Sequence, residues 1–229
     1  MEASGSTFEF DDCLKFPSSL IVMGASGSGK TAWILKLLKH LGQMFDKRVH
    51  VVLLCYGVYQ DAYAKVQHVE RNNTALIRIA EGCNERILQE HNILNPNINT
   101  ILILDDLHAE LANNVMLGKL FCKFSHHLNT TVVFVTQNLY HKGTQMRDVI
   151  SNAHYFVCLA QPRDKTAIAV LARQMYPNNS KFLVSAYEQA TSTKWGYLFI
   201  DAHPETPQEL RLRTGVFPDE ITNVFVPTI

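Results

Sequence analysis

The chain alternates between two kinds of hydrophobic segment. Short apolar runs stand at Leu20–Met23, His50–Cys55, Ile101–Leu104, Val132–Val135, Tyr155–Leu159 and Tyr197–Ile200. Most are continuous rather than alternating, which marks strands buried on both faces. Between them lie longer stretches with helical spacing, at about residues 30–45, 59–68, 84–92, 108–128, 164–176 and 180–190. Strand and helix in succession predict one α/β domain, a mostly parallel central sheet with helices on both faces. Only a short stretch precedes the sixth run, which predicts an antiparallel strand at an edge. Residues 92–99 read as a turn-rich entry to the Ile101 strand. The last 28 residues contain Pro204, Pro207, Pro218 and Pro227 and are expected to run as irregular chain over the surface. The expectation is therefore a single domain over residues 1–229, with an N-terminal extension of about 1–15 and a tail of about 202–229.

The strongest local signal sits at the end of the first apolar run. Gly24-Ala25-Ser26-Gly27-Ser28-Gly29-Lys30-Thr31 matches G-x-x-x-x-G-K-[ST] in full, between a predicted strand and a predicted helix. Glycines let successive backbone N–H groups converge on phosphate oxygens, and the helix N-terminus adds partial positive charge at the same place. Lys30 is expected to reach the β- and γ-phosphates and the Thr31 hydroxyl to ligate Mg²⁺. The motif predicts binding of ATP with Mg²⁺.

Two further elements follow in order. Asp105 and Asp106 end the run from Thr100, and a carboxylate at the C-terminal end of a parallel strand lies where ligands bind in open α/β sheets. Asp105 is expected to hold Mg²⁺, and Asp106 to orient and polarise the attacking water. Many ATPases carry Glu at the second position; Asp106 is one methylene shorter, and Glu110, one helical turn later, is a rival. Either aspartate could instead cap the helix beginning at Leu107. Beyond the next apolar run come Thr136, Gln137 and Asn138. A polar side chain there can contact the γ-phosphate or the water; Gln137 is the first choice and Thr136 the second. An extra strand carrying such a sensor points to P-loop NTPases with an additional catalytic acid, the ASCE type.

Composition narrows the class. Of 229 residues, 47% are hydrophobic and 18% charged, enough for a sizeable core and unlike a disordered chain. The 21 basic residues balance the 21 acidic ones, which excludes a basic protein that coats nucleic acid by bulk attraction. Cys13, Cys55, Cys83, Cys122 and Cys158 are scattered singly, so a disulfide framework or zinc ribbon is not expected; reduced thiols in an intracellular compartment are. The N-terminus lacks the pattern of a secretory signal, and no apolar run reaches membrane-spanning length, so a soluble protein is expected. His126 and His127 point about 100° apart on a helix and read as packing or surface residues.

On these residues the chain resembles the FtsK–HerA superfamily, and within it the genome-packaging ATPases of double-stranded DNA viruses of the poxvirus, virophage and polinton-like type. The resemblance runs from about Phe16 to Glu220. Its landmarks are Gly24–Thr31, Leu104–Leu107, Ser125–Thr130, Thr136–Asn138, Arg147–Tyr155, Pro162–Lys165 and Arg211–Pro218. It implies a homo-oligomeric ring that threads duplex DNA without sequence specificity and hydrolyses ATP between neighbours. It also implies a capsid or portal partner, and a place in the host cytoplasm or nucleus at the capsid vertex. Such rings need an arginine supplied in trans to steady charge on the transferring phosphoryl group. Arg147 stands where members of this group tend to place it, and Arg163 is the alternative; either could be an ordinary surface arginine. For DNA, Lys119 and Lys123, four apart on one helix face, are candidate contacts, although a solvated charged face is the commoner meaning of such a pair; Lys142, Lys47 and Arg48 are equally plausible loop contacts. Two other readings stay open: a small nucleoside or nucleotide kinase on the same loop, and a nucleotide-gated switch.

Overall fold

The computed structural model describes residues 13–66, 75–107, 111, 115–121, 128–140 and 146–227. One nine-stranded sheet organises it. In chain order the strands are β1 (Ser19–Met23), β2 (Val51–Tyr56), β3 (Leu76–Glu81), β4 (Thr100–Asp105), β5 (Thr130–Thr136), β6 (Tyr155–Leu159), β7 (Tyr197–Asp201), β8 (Leu212–Thr214) and β9 (Asn223–Val224). Their order across the sheet is β3-β2-β4-β5-β1-β6-β7-β8-β9. The first six in that order pair in parallel, and β7, β8 and β9 add antiparallel. Helices α1 (Lys30–Lys39), α2 (Leu41–Met44), α3 (Glu85–Glu90), α4 (Val115–Lys119), α5 (Met146–Ser151), α6 (Thr166–Met175) and α7 (Ser180–Ala190) surround the sheet.

The continuous apolar runs have the predicted cause. Successive side chains of a strand point to opposite faces, so a strand covered on both sides must be apolar at every position. Ile101 and Ile103 of β4 face a core shared with Trp33, Ile34 and Leu37 of α1. Leu102 and Leu104 face the opposite core, shared with Ile168 of α6 and Leu183 and Tyr187 of α7. All six positions of β4 and all seven of β5 are buried.

Several elements depart from the sequence expectation. β3 escapes the apolar-run criterion because it is an edge strand, half-exposed and carrying Arg78 and Glu81. The predicted helix over 30–45 breaks at His40 into α1 and α2. The 59–68 stretch contains a 3₁₀ turn over Asp61–Lys65, and of the 108–128 helix the described residues are 111, 115–121 and 128. Leu14, inside the expected N-terminal extension, is buried and bridges to Phe45.

The tail needs the largest correction. Residues 202–229 were expected as irregular surface chain, yet β8 and β9 extend the sheet beyond β7, which is therefore not an edge. Arg213 of β8 donates to Asp201 of β7 at 2.6 Å with both side chains buried. Losing either partner leaves a buried charge uncompensated, at a cost of about 3–5 kcal/mol. Phe217 packs on Trp33 with ring centroids 5.2 Å apart. Lys36 in the last turn of α1 pairs with Asp219 at 2.9 Å and Glu220 at 2.6 Å. Pro204 and Pro218 lie in turns between these anchored pieces.

Candidate active site

The parallel register brings three strand ends together. Met23, the last residue of β1, pairs with Thr136 of β5, and Asp105 of β4 pairs with Val135. β5 thus separates the loop-bearing strand from the acidic one, the strand insertion expected of a P-loop ATPase with an additional acid. A cavity of about 730 Å³ opens at these C-terminal ends. Ser26, Gly27, Gly29, Lys30, Thr31, Asp105, Asp106, Thr136 and Gln137 all line it, so the structure brings these sequence-predicted residues into one place.

The loop is held open by its own backbone. Gly24 N–H donates to the Thr136 carbonyl at 3.3 Å and Ala25 N–H to that of Ala160 at 3.1 Å, which fixes the loop between β5 and the end of β6. Gly29 has φ 105°, a left-handed conformation that suits glycine, and turns the chain into α1. No side chain caps α1 there, so its first N–H groups are free to meet an anion. Lys30 Nζ donates to the carbonyls of Gly24 and Ala25, both at 2.9 Å. Burial lowers the Lys30 pKa, while the charges of Asp105 and Asp106 oppose that shift.

The acids occupy different environments. Asp105 is buried and Asp106 is exposed to the cavity with φ 55°. Burial pushes the Asp105 pKa above the ordinary carboxylate range, and Asp106 adds to it; the hydrogen bond from Tyr63 and the charge of Lys30 pull it down. Because this shift raises the folded-state value, the ionised carboxylate costs stability: stability falls as pH rises from the usual carboxylate range through the raised pKa. The Thr31 hydroxyl and the Asp105 carboxylate are hard oxygen donors on one cavity wall, a set that fits Mg²⁺.

Gln60 and Tyr63 were not foreseen. Thr31 Oγ1 donates to Gln60 Oε1 at 2.9 Å, and Tyr63 OH to Asp105 Oδ2 at 2.7 Å. Both partners come from the connection after β2. That connection crosses the end of β4 at Gly57, whose N–H donates to the Asp105 carbonyl at 3.0 Å; a Cβ at Gly57 would collide with the Asp106 carbonyl. Gly57 therefore permits the approach that sets Gln60 on Thr31 and Tyr63 on Asp105. Tyr63→Phe should move the acid limb of the pH–rate profile to higher pH, because Asp105 loses a donor that favours its ionised form. Steady-state hydrolysis between pH 5 and 8 checks this; an unmoved limb would remove Tyr63 from the site's electrostatics.

The sensor residues separate by what their atoms already do. Thr136 is buried, and its hydroxyl is engaged with the Asn138 backbone, donating to the carbonyl at 3.1 Å and accepting from N–H at 3.3 Å. Gln137 is exposed to the cavity, and Gln161 Nε2 fixes its carbonyl at 2.7 Å. Trp195, a further unforeseen wall residue, sits with its ring against Gly29. Neither Arg147, on α5, nor Arg163, after β6, lines the cavity of its own chain; both are exposed. Lys47, Arg48 and Lys119 are exposed. Glu110, Lys123, Lys142, His126, His127 and Cys122 lie outside the described residues. Cys55, Cys83 and Cys158 are buried thiols outside any disulfide, and Cys13, half-buried, donates from Sγ to the Gln43 carbonyl at 3.5 Å. Among the described residues no helix is long and apolar enough to cross a membrane.

Comparison with known proteins adds a family. The model of the family described as "Poxvirus A32 protein" matches residues 5–194. The DNA packaging protein OPG160 of vaccinia virus (strain Copenhagen) is 28% identical over 141 residues, covering 58% of this chain and 51% of the relative. The variola virus protein of the same name is 28% identical over 138 residues, 57% of this chain and 50% of the relative. The chain thus spans about half the length of the curated relatives it matches. Among solved structures, the genome-packaging NTPase B204 of Sulfolobus turreted icosahedral virus 2, in complex with ATP-gammaS, aligns with a TM-score of 0.54. It is 10% identical, with 93% of this chain and 98% of that one covered. The cytoplasmic domain of the Thermomonospora curvata type VII secretion ATPase EccC aligns with a TM-score of 0.51, 14% identical, covering 83% of this chain and 24% of that one. These likenesses show a shared fold.

Proposed function

The chain belongs to the poxvirus A32 protein family, and on that premise we propose that it is an ATP-hydrolysing motor that packages viral double-stranded DNA, working as a ring with catalysis between subunits. The observation that carries this reading is the convergence of Lys30, Asp105, Asp106 and Gln137 on one cavity across β1, β5 and β4. The relatives named as DNA packaging proteins, and the genome-packaging fold neighbour, supply the substrate class.

In this reading the N–H groups of Ser26, Gly27, Gly29, Lys30 and Thr31 hold the β- and γ-phosphates, while Gly24, Ala25 and Ser28, whose N–H groups bond to the carbonyls of Thr136, Ala160 and Ala25, shape the cradle. Lys30 leaves its two loop carbonyls for phosphate oxygens. Thr31 and Asp105 would hold Mg²⁺, which would draw charge from the phosphate oxygens. Gln137 and Asp106 orient a water in line with the bond to the leaving group, with Glu110 as the alternative acid. The water oxygen bonds to the γ-phosphorus, the bond to the β–γ bridging oxygen breaks, and the acid takes the water's proton. Arg147 of the neighbouring subunit, or Arg163 in its place, steadies the charge that develops on the phosphoryl group. Exposure of both arginines, away from their own cavity, supports supply in trans.

Duplex DNA is held by backbone phosphates, which lets the motor release and regrip without reading sequence. A neutral subunit suits this, since a shared pore needs only a few basic side chains from each copy. The remaining partner is a capsid or portal protein, met at the capsid vertex in the host cytoplasm or nucleus. ATP hydrolysis measured against subunit concentration and duplex DNA tests the proposal.

A further inference from the structure

Trp195 stands out as a costly residue in an unprotected place. It is 60% exposed, whereas the chain's second tryptophan, Trp33, is 4% exposed in the core. Its backbone lies at φ 64°, a conformation that a bulky side chain adopts only under constraint. The constraint is visible. Thr191 Oγ1 donates to the Tyr187 carbonyl at 2.7 Å, and Gly196 N–H donates to the Thr193 carbonyl at 3.0 Å, so the turn between α7 and β7 is tied to the helix end.

That turn puts the indole directly on the phosphate loop. A Cβ on Gly29 would come within 3.1 Å of Trp195 Cδ1. The ring is also the wall common to two cavities. One is the cavity of the phosphate loop; the other, of about 700 Å³, is lined by Thr193, Lys194, Thr214 and Asn223 among others, between the turn and the β8–β9 tail. Lys194 Nζ lies 4.8 Å from the ring centroid, so an exposed cationic side chain, not packed core, covers the indole.

We propose that Trp195 is the platform for the nucleobase, which stacks on the indole in the second cavity while the triphosphate occupies the loop. This rests on the nucleotide-binding reading of the loop and extends it to the other end of the ligand. Every base has a π-face, so a stacking wall gives affinity with little discrimination among bases. Its continuity with the phosphate loop also commits the aromatic surface to the nucleotide rather than to a neighbouring subunit.

The test compares ATP with inorganic tripolyphosphate, both with Mg²⁺, by calorimetry on the full chain. Trp195→Gly, which suits the left-handed backbone, should weaken ATP about 5- to 150-fold and leave tripolyphosphate unchanged. Trp195→Phe should recover most of the loss. Tryptophan fluorescence of the unaltered chain gives an arm that needs no variant: ATP should shield Trp195 from acrylamide and tripolyphosphate should not. Equal loss for both ligands, no loss for either, or a changed association state at unchanged ATP affinity overturns the platform. Failure of the unaltered chain to bind either ligand overturns the phosphate-loop reading itself.

Discussion

Rings assembled from Arg147→Ala subunits bind ATP normally and lose hydrolysis by about 10³-fold or more, the effect of removing an arginine that acts on the transferring phosphoryl group. The expectation comes from position. Arg147 is exposed on α5 and outside the cavity of its own chain, so the proposed contact with phosphate requires a neighbouring subunit. A trans role has a consequence that a cis role lacks. Mixing Arg147→Ala subunits with Lys30→Ala subunits should restore part of the activity, because some interfaces then combine an intact loop with an intact arginine. Turnover of the single variant at the unaltered rate removes Arg147 from the mechanism and passes the role to Arg163.

Lys30→Ala alone is expected to lower kcat by about 10²–10³-fold, the scale of removing one preorganised donor from a developing charge. The structure adds a second route to the loss. Lys30 is one of the groups that hold the Asp105 pKa down against burial, so its removal favours the protonated carboxyl, a poorer ligand for the Mg²⁺ proposed there. Raising pH should therefore recover a part of the Lys30→Ala defect that it cannot recover in a variant lacking Asp105. Single-turnover hydrolysis across pH separates the two contributions; a pH-independent defect would leave only the direct contact with phosphate.

How much was legible in the sequence follows from how local each feature is. The phosphate loop is eight contiguous residues whose geometry is written in glycine placement, and the core strands announce themselves because burial on both faces forces continuous apolar runs. β3 carries polar residues at a sheet edge, and β8 and β9 are two or three residues long, too short for periodicity to register. The prolines of the tail suggested irregular chain and hid the Arg213–Asp201 pair, which depends on two strands meeting. Gln60, Tyr63 and Trp195 belong to the same class. Gln60 and Trp195 reach the cavity, and Tyr63 reaches Asp105, because chain distant in sequence folds over the loop or the acidic strand, and no spacing rule links Tyr63 to Asp105. Arg147 is different again, since its role would lie in a neighbouring copy.

The balanced charge that argued against a coating protein is compatible with a ring motor, and that contrast is open to direct measurement. The decisive quantity is the rate of ATP hydrolysis per subunit, followed as subunit concentration rises, with and without duplex DNA. The account predicts a rate that climbs with concentration, as interfaces that pair a loop with a neighbour's arginine form, and climbs again when DNA is present. A rate per subunit that stays flat against both would contradict it and return the chain to the kinase or switch readings.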